Sequence, residues 1–469
     1  MIALKIFKKV DLTEGKTWKV ILLFAIPIVL ASVLGSAFSI INSLVLKTTV
    51  GGDSVTAISS TSSISVILFQ FAYGCSGGFA TLTSANYGKK DEKSVRKSFY
   101  NGLYLSIFIG LFITVLGLLV YKELLLFLEV DTVYLAKAEH YYFIILVSFV
   151  LMLLSNYLGN TLRAFGDSTA PLIISVISTL VNVLFAFVLT GLIKWDTRGV
   201  AVATAMANLL SVVISSIYLL KKYNFLSIDK SIEKMEFKMC SKLLKLGIPL
   251  GLQYSILFFG TFFQSKTVNS FGPQATKAAG CFSTIENYLV IPTGAIAASF
   301  LTFVAQNYGK NNFERIKKGF KQAILIDLVL CAVIFIAGLL FTDYVPYIFL
   351  PKSEVDDPVN GPLIKYYCST YISCVFPLII LHGILTVSRS MLQGIQKTFA
   401  PFLSGVGELV ARLSVCFFLP KLIDPANHVS KQAYIGVCFS SPAAWLISTI
   451  IMGGFAMYFI FYKPIRTTI

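Results

Sequence analysis

Asn86-Tyr87-Gly88-Lys89 returns as Asn307-Tyr308-Gly309-Lys310, the same four residues 221 positions further on. Working outward, Val95-Arg96-Lys97 is matched by Ile316-Lys317-Lys318, and Phe99 by Phe320. At nearly the same offset Ile26-Pro27 returns as Ile248-Pro249 and Gly51 as Gly272. Leu162 and Ala170-Pro171 return as Leu392 and Ala400-Pro401, now offset by 230. An ordered series of this kind marks an internal duplication, which decides the fold before any other reading.

Each copy holds six apolar runs of some 20 residues, enough to cross a hydrocarbon core about 30 Å thick. The runs lie near 17–46, 55–84, 98–120, 139–162, 170–192 and 199–220, then 243–268, 275–305, 319–341, 365–392, 400–419 and 434–461. The sequence therefore predicts an all-α polytopic membrane protein of twelve transmembrane helices in two six-helix bundles. The expected lobes are 1–220 and 243–469, joined by a charged cytoplasmic linker at 221–242. Six is an even number, so both copies enter the bilayer in one orientation. A pseudo-twofold axis along the membrane normal, with a cavity between the lobes, is expected, as in secondary transporters built from parallel repeats. The connection 342–364 reads as an external loop.

Composition agrees. The 469 residues are 56% hydrophobic and 13% charged, with a mean hydropathy of +0.78. A soluble domain carries about 25% charge, which excludes a soluble enzyme and a secreted binding module. A membrane β-barrel would alternate polar and apolar residues over about 10-residue segments. The net charge of +16 invites a nucleic-acid reading, but its distribution opposes one. With the amino terminus placed in the cytoplasm, 27 of the 39 Lys and Arg fall in inner segments, 11 in outer ones, and Arg412 within a span. That is the positive-inside bias of a multi-pass membrane protein, with both termini cytoplasmic. Met1 to Lys19 precedes a long apolar run with no cleavage site, so it reads as a retained first helix. The eight cysteines show no CxxC pairing and read as small packing residues. No Walker A, HExxH or GxSxG sequence is present, so catalysis is not expected.

One proline sits inside the first helix of each copy, Pro27 and Pro249 respectively. Each removes a backbone hydrogen bond, which makes both hinge candidates, with a packing kink as the alternative. Pro171 and Pro401 instead open helices 5 and 11, where a first-turn proline costs little.

Arg163-Ala-Phe-Gly166-Asp167-Ser-Thr-Ala-Pro171, Asn182 in helix 5, and Gly199-Val-Ala-Val-Ala-Thr204 opening helix 6 carry a resemblance. With the two Asn-Tyr-Gly turns and the 6+6 layout, the chain resembles the multidrug and toxic compound extrusion (MATE) family over nearly its whole length. It looks closer to the DinF-type branch than to the NorM-type branch. The resemblance implies a cation-coupled antiporter of the plasma membrane that exports small organic compounds, often cationic and aromatic. It implies no cofactor beyond the coupling proton or sodium ion, and a monomer. Two acids that many relatives use in the amino-terminal lobe are absent: Asn42 and Ala186 stand at the matching positions. Neither can take up a proton. Asn42, Gln70, Asn182 and Thr204 remain as neutral candidates for substrate binding.

Ionisable groups at membrane depth are expensive, about 2.5–3.5 kcal/mol on insertion scales, and rarely idle. Here they are Glu286 in helix 8, Asp327 in helix 9, His382 in helix 10, and Glu408 with Arg412 in helix 11. All lie in the second copy, which is where cation coupling is expected. Glu408 and Arg412 are four apart and read as a pair on one helix face, structural before coupling. Glu286, packed beside Arg412, would stay ionised; alone in an apolar pocket it could cycle a proton. Asp327 faces either the lobe interior or a polar neighbour. His382 reads as a packing residue or, titrating near pH 6.5, as a proton carrier. Two alternatives stay open. A lipid-linked oligosaccharide flippase would need several arginines facing the cavity, and a non-transporting membrane scaffold or receptor would need no acids at membrane depth.

Overall fold

The computed structural model describes residues 9–127, 130–227 and 234–462, apart from the side chains of 39, 42, 43, 63, 461 and 462. Among the described residues there are helices and no strands. The first copy comprises α1 (Thr17–Thr49), α2 (Gly52–Gly88), α3 (Glu92–Phe127), α4 (Thr132–Val147), α5 (Phe149–Ala164), α6 (Thr169–Phe187) and α7 (Asp196–Lys222). The second comprises α8 (Phe237–Asn269), α9 (Pro273–Leu289), α10 (Ile291–Gly309), α11 (Phe313–Phe341), α12 (Gly361–Val375), α13 (Ile379–Gly394), α14 (Phe399–Ile423) and α15 (Ser440–Met457).

Among the described residues eleven helical spans are long and apolar enough to cross a membrane, or twelve where the pair α4 and α5, bent by 47°, is counted as one span. Their outer faces are as apolar as their inner ones. On α3, Leu105 and Ile109 are buried while Phe108 and Leu119 stand 63% and 70% exposed. A soluble helix would put charge there; a lipid-facing helix need not. The external connection expected at 342–364 carries two short helices, Val345–Phe349 and Lys352–Val355.

The helix interruptions are not at the prolines expected to hinge. α1 runs through Pro27 and α8 through Pro249. The breaks fall at Ser148, between α4 and α5, at Val290, between α9 and α10, and at Phe376–Leu378, between α12 and α13. Pro292 and Pro377 accompany the last two, each freeing the carbonyl one turn back.

The chain forms two compact units, Met1–Tyr254 with Ala305–Asn312, and Ser255–Val304 with Phe313–Ile469. The division thus falls inside α8 and not at the charged stretch 221–242. Its cause is local. Gly74 and Gly78 of α2 let α8 approach so closely that a Cβ on Gly78 would stand 2.6 Å from the Cα of Gly247. Small residues permit such approach between helices in lipid, where packing is the main attraction.

Candidate coupling site

α11 brings Asp327 to the second unit's interior with no measurable exposure. Its neighbour across the helix pair is Gly383 of α13, where a Cβ would stand 2.9 Å from Asp327 Oδ2 and 2.8 Å from Cys331 Sγ. The missing side chain at 383 is therefore what lets the carboxylate lie against the α13 backbone. Thr386, one turn on, donates its hydroxyl to Oδ2 at 3.4 Å. Oδ1 has no hydrogen-bond partner among the described residues, and no basic side chain pairs with the group there.

Glu286 is differently served. Phe282 and Glu286 are four apart on α9 and face Tyr371 of α12 together. Tyr371 stacks on Phe282, ring centroids 3.5 Å apart and 9° from parallel, and donates its hydroxyl to Glu286 Oε2 at 2.6 Å. The charge of Arg412 acts on the same carboxylate. Arg412 itself donates to Gln264 of α8 and to Ser441 Oγ at 2.8 Å. Its methylene stem lies over Gly260, where a Cβ would meet its Cδ at 3.0 Å.

The expected pairing of Glu408 with Arg412 is not formed. Glu408 accepts instead from Arg389 of α13, and from Ser448 Oγ of α15 at 2.7 Å. Both side chains of this ion pair are buried, 10% and 5% exposed. Four residues along a helix point roughly the same way, but the carboxylate turns to the neighbouring helix and the guanidinium to α8. Arg389 falls near the end of the tenth apolar run, 365–392, and was not singled out from the sequence. It lies seven positions after His382 on one helix, and that helical spacing is the signal that would have placed it inside. His382 packs edge-on against Trp445, centroids 5.4 Å apart, with Nδ1 unpartnered among the described residues.

In the first unit Asn182 and Thr204 are brought together, Nδ2 to Oγ1 at 3.3 Å, joining α6 to α7. Gln70 is half-buried on α2. Asn42 lies on α1, and its side chain is outside the described residues. Residues the sequence did not single out, Tyr371, Thr386, Gln264 and Arg389, complete the second unit's polar interior. Tyr, Thr and Gln are common in membrane helices, and only the fold shows which of them meet a carboxylate or an arginine. Among the described residues no three His, Cys, Asp or Glu gather as a metal set.

The MatE family profile matches residues 27–188 and 249–418, both copies of the repeat. The "Probable multidrug resistance protein YoeA" of Bacillus subtilis (strain 168) is 23% identical over 454 residues, 95% of each chain. The "Multidrug export protein MepA" of Staphylococcus haemolyticus (strain JCSC1435) is 22% identical over 412 residues, 87% of this chain and 88% of that one. Among solved structures, that of a MATE protein in complex with MaL6 superposes with a TM-score of 0.85 at 17% identity, covering 97% of this chain and 98% of the other.

Proposed function

The chain belongs to the MatE family, a multi-pass membrane transporter family, and from that premise we propose that it exports small organic compounds across the plasma membrane in exchange for an inward cation. Asp327 is the coupling group in this reading. The observation that carries it is the contrast among the three acids placed at membrane depth, of which Asp327 and Glu408 are buried and Glu286 is half-buried. Glu408 is neutralised by Arg389, and Glu286 accepts a short hydrogen bond from the Tyr371 hydroxyl. Asp327 has one long hydrogen bond and no cation. An ionised carboxylate buried in that way is costly. Carrying a proton removes the cost, and access to water on one side of the membrane would let the proton leave. A solitary carboxyl suits a proton better than sodium, which needs several oxygen ligands. Both termini lie in the cytoplasm in this reading, as the distribution of basic residues favours, and the family resemblance leads us to read it as a monomer. A flippase for a polyanion is disfavoured because Arg389 is already neutralised and Arg412 is engaged by Gln264 and Ser441.

The test is efflux of a fluorescent organic cation from proteoliposomes under separately imposed proton and sodium gradients. A proton gradient is expected to drive it and Asp327→Asn to stop it, with Glu286→Gln retaining measurable coupling. Normal proton-driven efflux in Asp327→Asn would overturn the assignment.

A further inference from the structure

The two Asn-Tyr-Gly turns of the duplication pack on one another. A Cβ on Gly88 would overlap the carbonyl of Gln306, and one on Gly309 would overlap the carbonyl of Ala85. Ala85 and Gln306, like Gly88 and Gly309, are 221 apart, so the contact is reciprocal: each copy's glycine meets the residue equivalent to the one its own partner meets. Only glycine allows backbones so close.

Among the described residues, the segment 9–13 adds further ties to this contact. Asn86 donates within its own turn, to the carbonyl of Ser94 at 3.2 Å and to Ser98 Oγ at 3.3 Å. Its equivalent, Asn307, donates to the carbonyl of Leu12 at 3.0 Å. Val10 N–H donates to the carbonyl of Gly166 at 2.9 Å, and Lys310 Nζ to Thr13 Oγ1 at 3.3 Å. This strap therefore ties the turn of the second copy to the turn and the 164–167 loop of the first.

Lys9 ends the strap in an aromatic cage. Its ammonium stands 5.0 Å from the ring centroids of both Tyr87 and Tyr223 and donates to the Tyr87 hydroxyl. Phe165 closes the cage, 5.0 Å from Tyr87 and 4.7 Å from Tyr223, with Phe225 5.8 Å beyond it. Tyr223 is 4% exposed and its hydroxyl has no partner among the described residues. Beside the cage lies a cavity of about 360 Å³, lined by Lys9, Tyr87 and Phe225 together with the acidic Asp11 and Glu92 and the basic Lys90. Aromatic faces with carboxylates nearby are how proteins hold organic ammonium ions.

We propose that this cage is an entry site for organic cations on the cytoplasmic face, occupied in this conformation by the protein's own Lys9, and that a cation displacing Lys9 frees the strap. The second turn then loses one of its ties to the first at the moment a substrate arrives. The proposal rests on the transport reading for its purpose, but the site is tested by binding alone.

The probe is tetraphenylphosphonium, measured by equilibrium dialysis against the purified full chain. Lys9→Ala is expected to bind it about tenfold more tightly than wild type, because the internal competitor is gone. Lys9→Arg, which refills the cage, is expected to restore the wild-type affinity, and Lys9→Ala with Tyr87→Ala to lose the gain. Unchanged or weaker binding by Lys9→Ala overturns the proposal, and so does a gain that survives Tyr87→Ala, since that gain belongs to another site. A second measurement places nitroxides at Thr13→Cys and Lys310→Cys. Saturating probe is expected to lengthen and broaden their distance distribution, and an unchanged distribution refutes release of the strap. Proteoliposomes that never move the probe while Lys9→Ala still binds it more tightly would refute the transport reading and leave the site standing.

Discussion

Arg389 and Glu408 allow the sharpest separation of a structural charge pair from a coupling one. The pair joins α13 to α14 with both side chains buried. Removing one partner from a buried pair costs about 3–5 kcal/mol, because the other charge is left without its counter-ion. Glu408→Gln should cost that much, leaving Arg389 facing a neutral amide. Arg389→Met should cost a similar amount, leaving Glu408 with Ser448 alone. Arg389→Met with Glu408→Leu removes both charges, and replacing a buried pair by apolar residues is often neutral or stabilising by about 1–4 kcal/mol. The double change should therefore be far milder than either single one, with a coupling energy of several kcal/mol. Glu408 and Arg412 share a helix but no bond, so the coupling between them should be much weaker than that between Arg389 and Glu408. The assay is unfolding in mixed micelles titrated with dodecyl sulfate, followed by tryptophan fluorescence. Strong coupling between 408 and 412, with additivity between 389 and 408, would refute the partner exchange described above.

Further outcomes follow from the same contacts. Gly383→Ala should disturb Asp327, because the added methyl stands 2.9 Å from Oδ2 and 2.8 Å from Cys331 Sγ; overpacking of this kind costs about 1–3 kcal/mol, and proton-driven efflux should fall with stability. Tyr371→Phe keeps the stack on Phe282 but withdraws the hydroxyl from Glu286, and should cost about 1.5–3 kcal/mol for a bond to a charged group, read in the same micelle titration. Asn182→Ala, in a lobe without a titrating group at the expected positions, should leave the proton-to-substrate ratio unchanged in proteoliposomes while altering affinity for substrate. In the strap, burial works to raise the Asp11 carboxyl, but hydrogen bonds from Thr13 and the charges of Lys310 and Lys90 outweigh it and hold it below the ordinary 3.8. A depressed carboxylate contributes stability that is present above pH 3.8 and lost as pH falls through its lower native value. The strap should thus be equally secure at pH 5 and pH 8, with loosening confined to more acidic solution, as hydrogen exchange of residues 10–13 would report.

The apolar runs made the span count legible, because apolar length is a one-dimensional property. The sequence also drew attention to acids in second-copy helices, of which Asp327 and Glu408 are buried and Glu286 half-buried. What it could not convey is partnership. A helical spacing of four shows that Glu408 and Arg412 leave the same face, yet which neighbouring helix each meets depends on packing, and Arg389 took the carboxylate that the spacing assigned to Arg412. The compact units differ from the sequence halves for a similar reason. The linker 221–242 looks like a boundary because it is charged, whereas the physical boundary is set by glycines on α2 and α8 that allow backbone contact. Function follows the packing in both cases. Arg389 claims Glu408, and Tyr371 with the Arg412 charge attends Glu286. Asp327 has an unpartnered carboxylate oxygen and no basic partner among the described residues, and the coupling assignment rests on that contrast with Glu408.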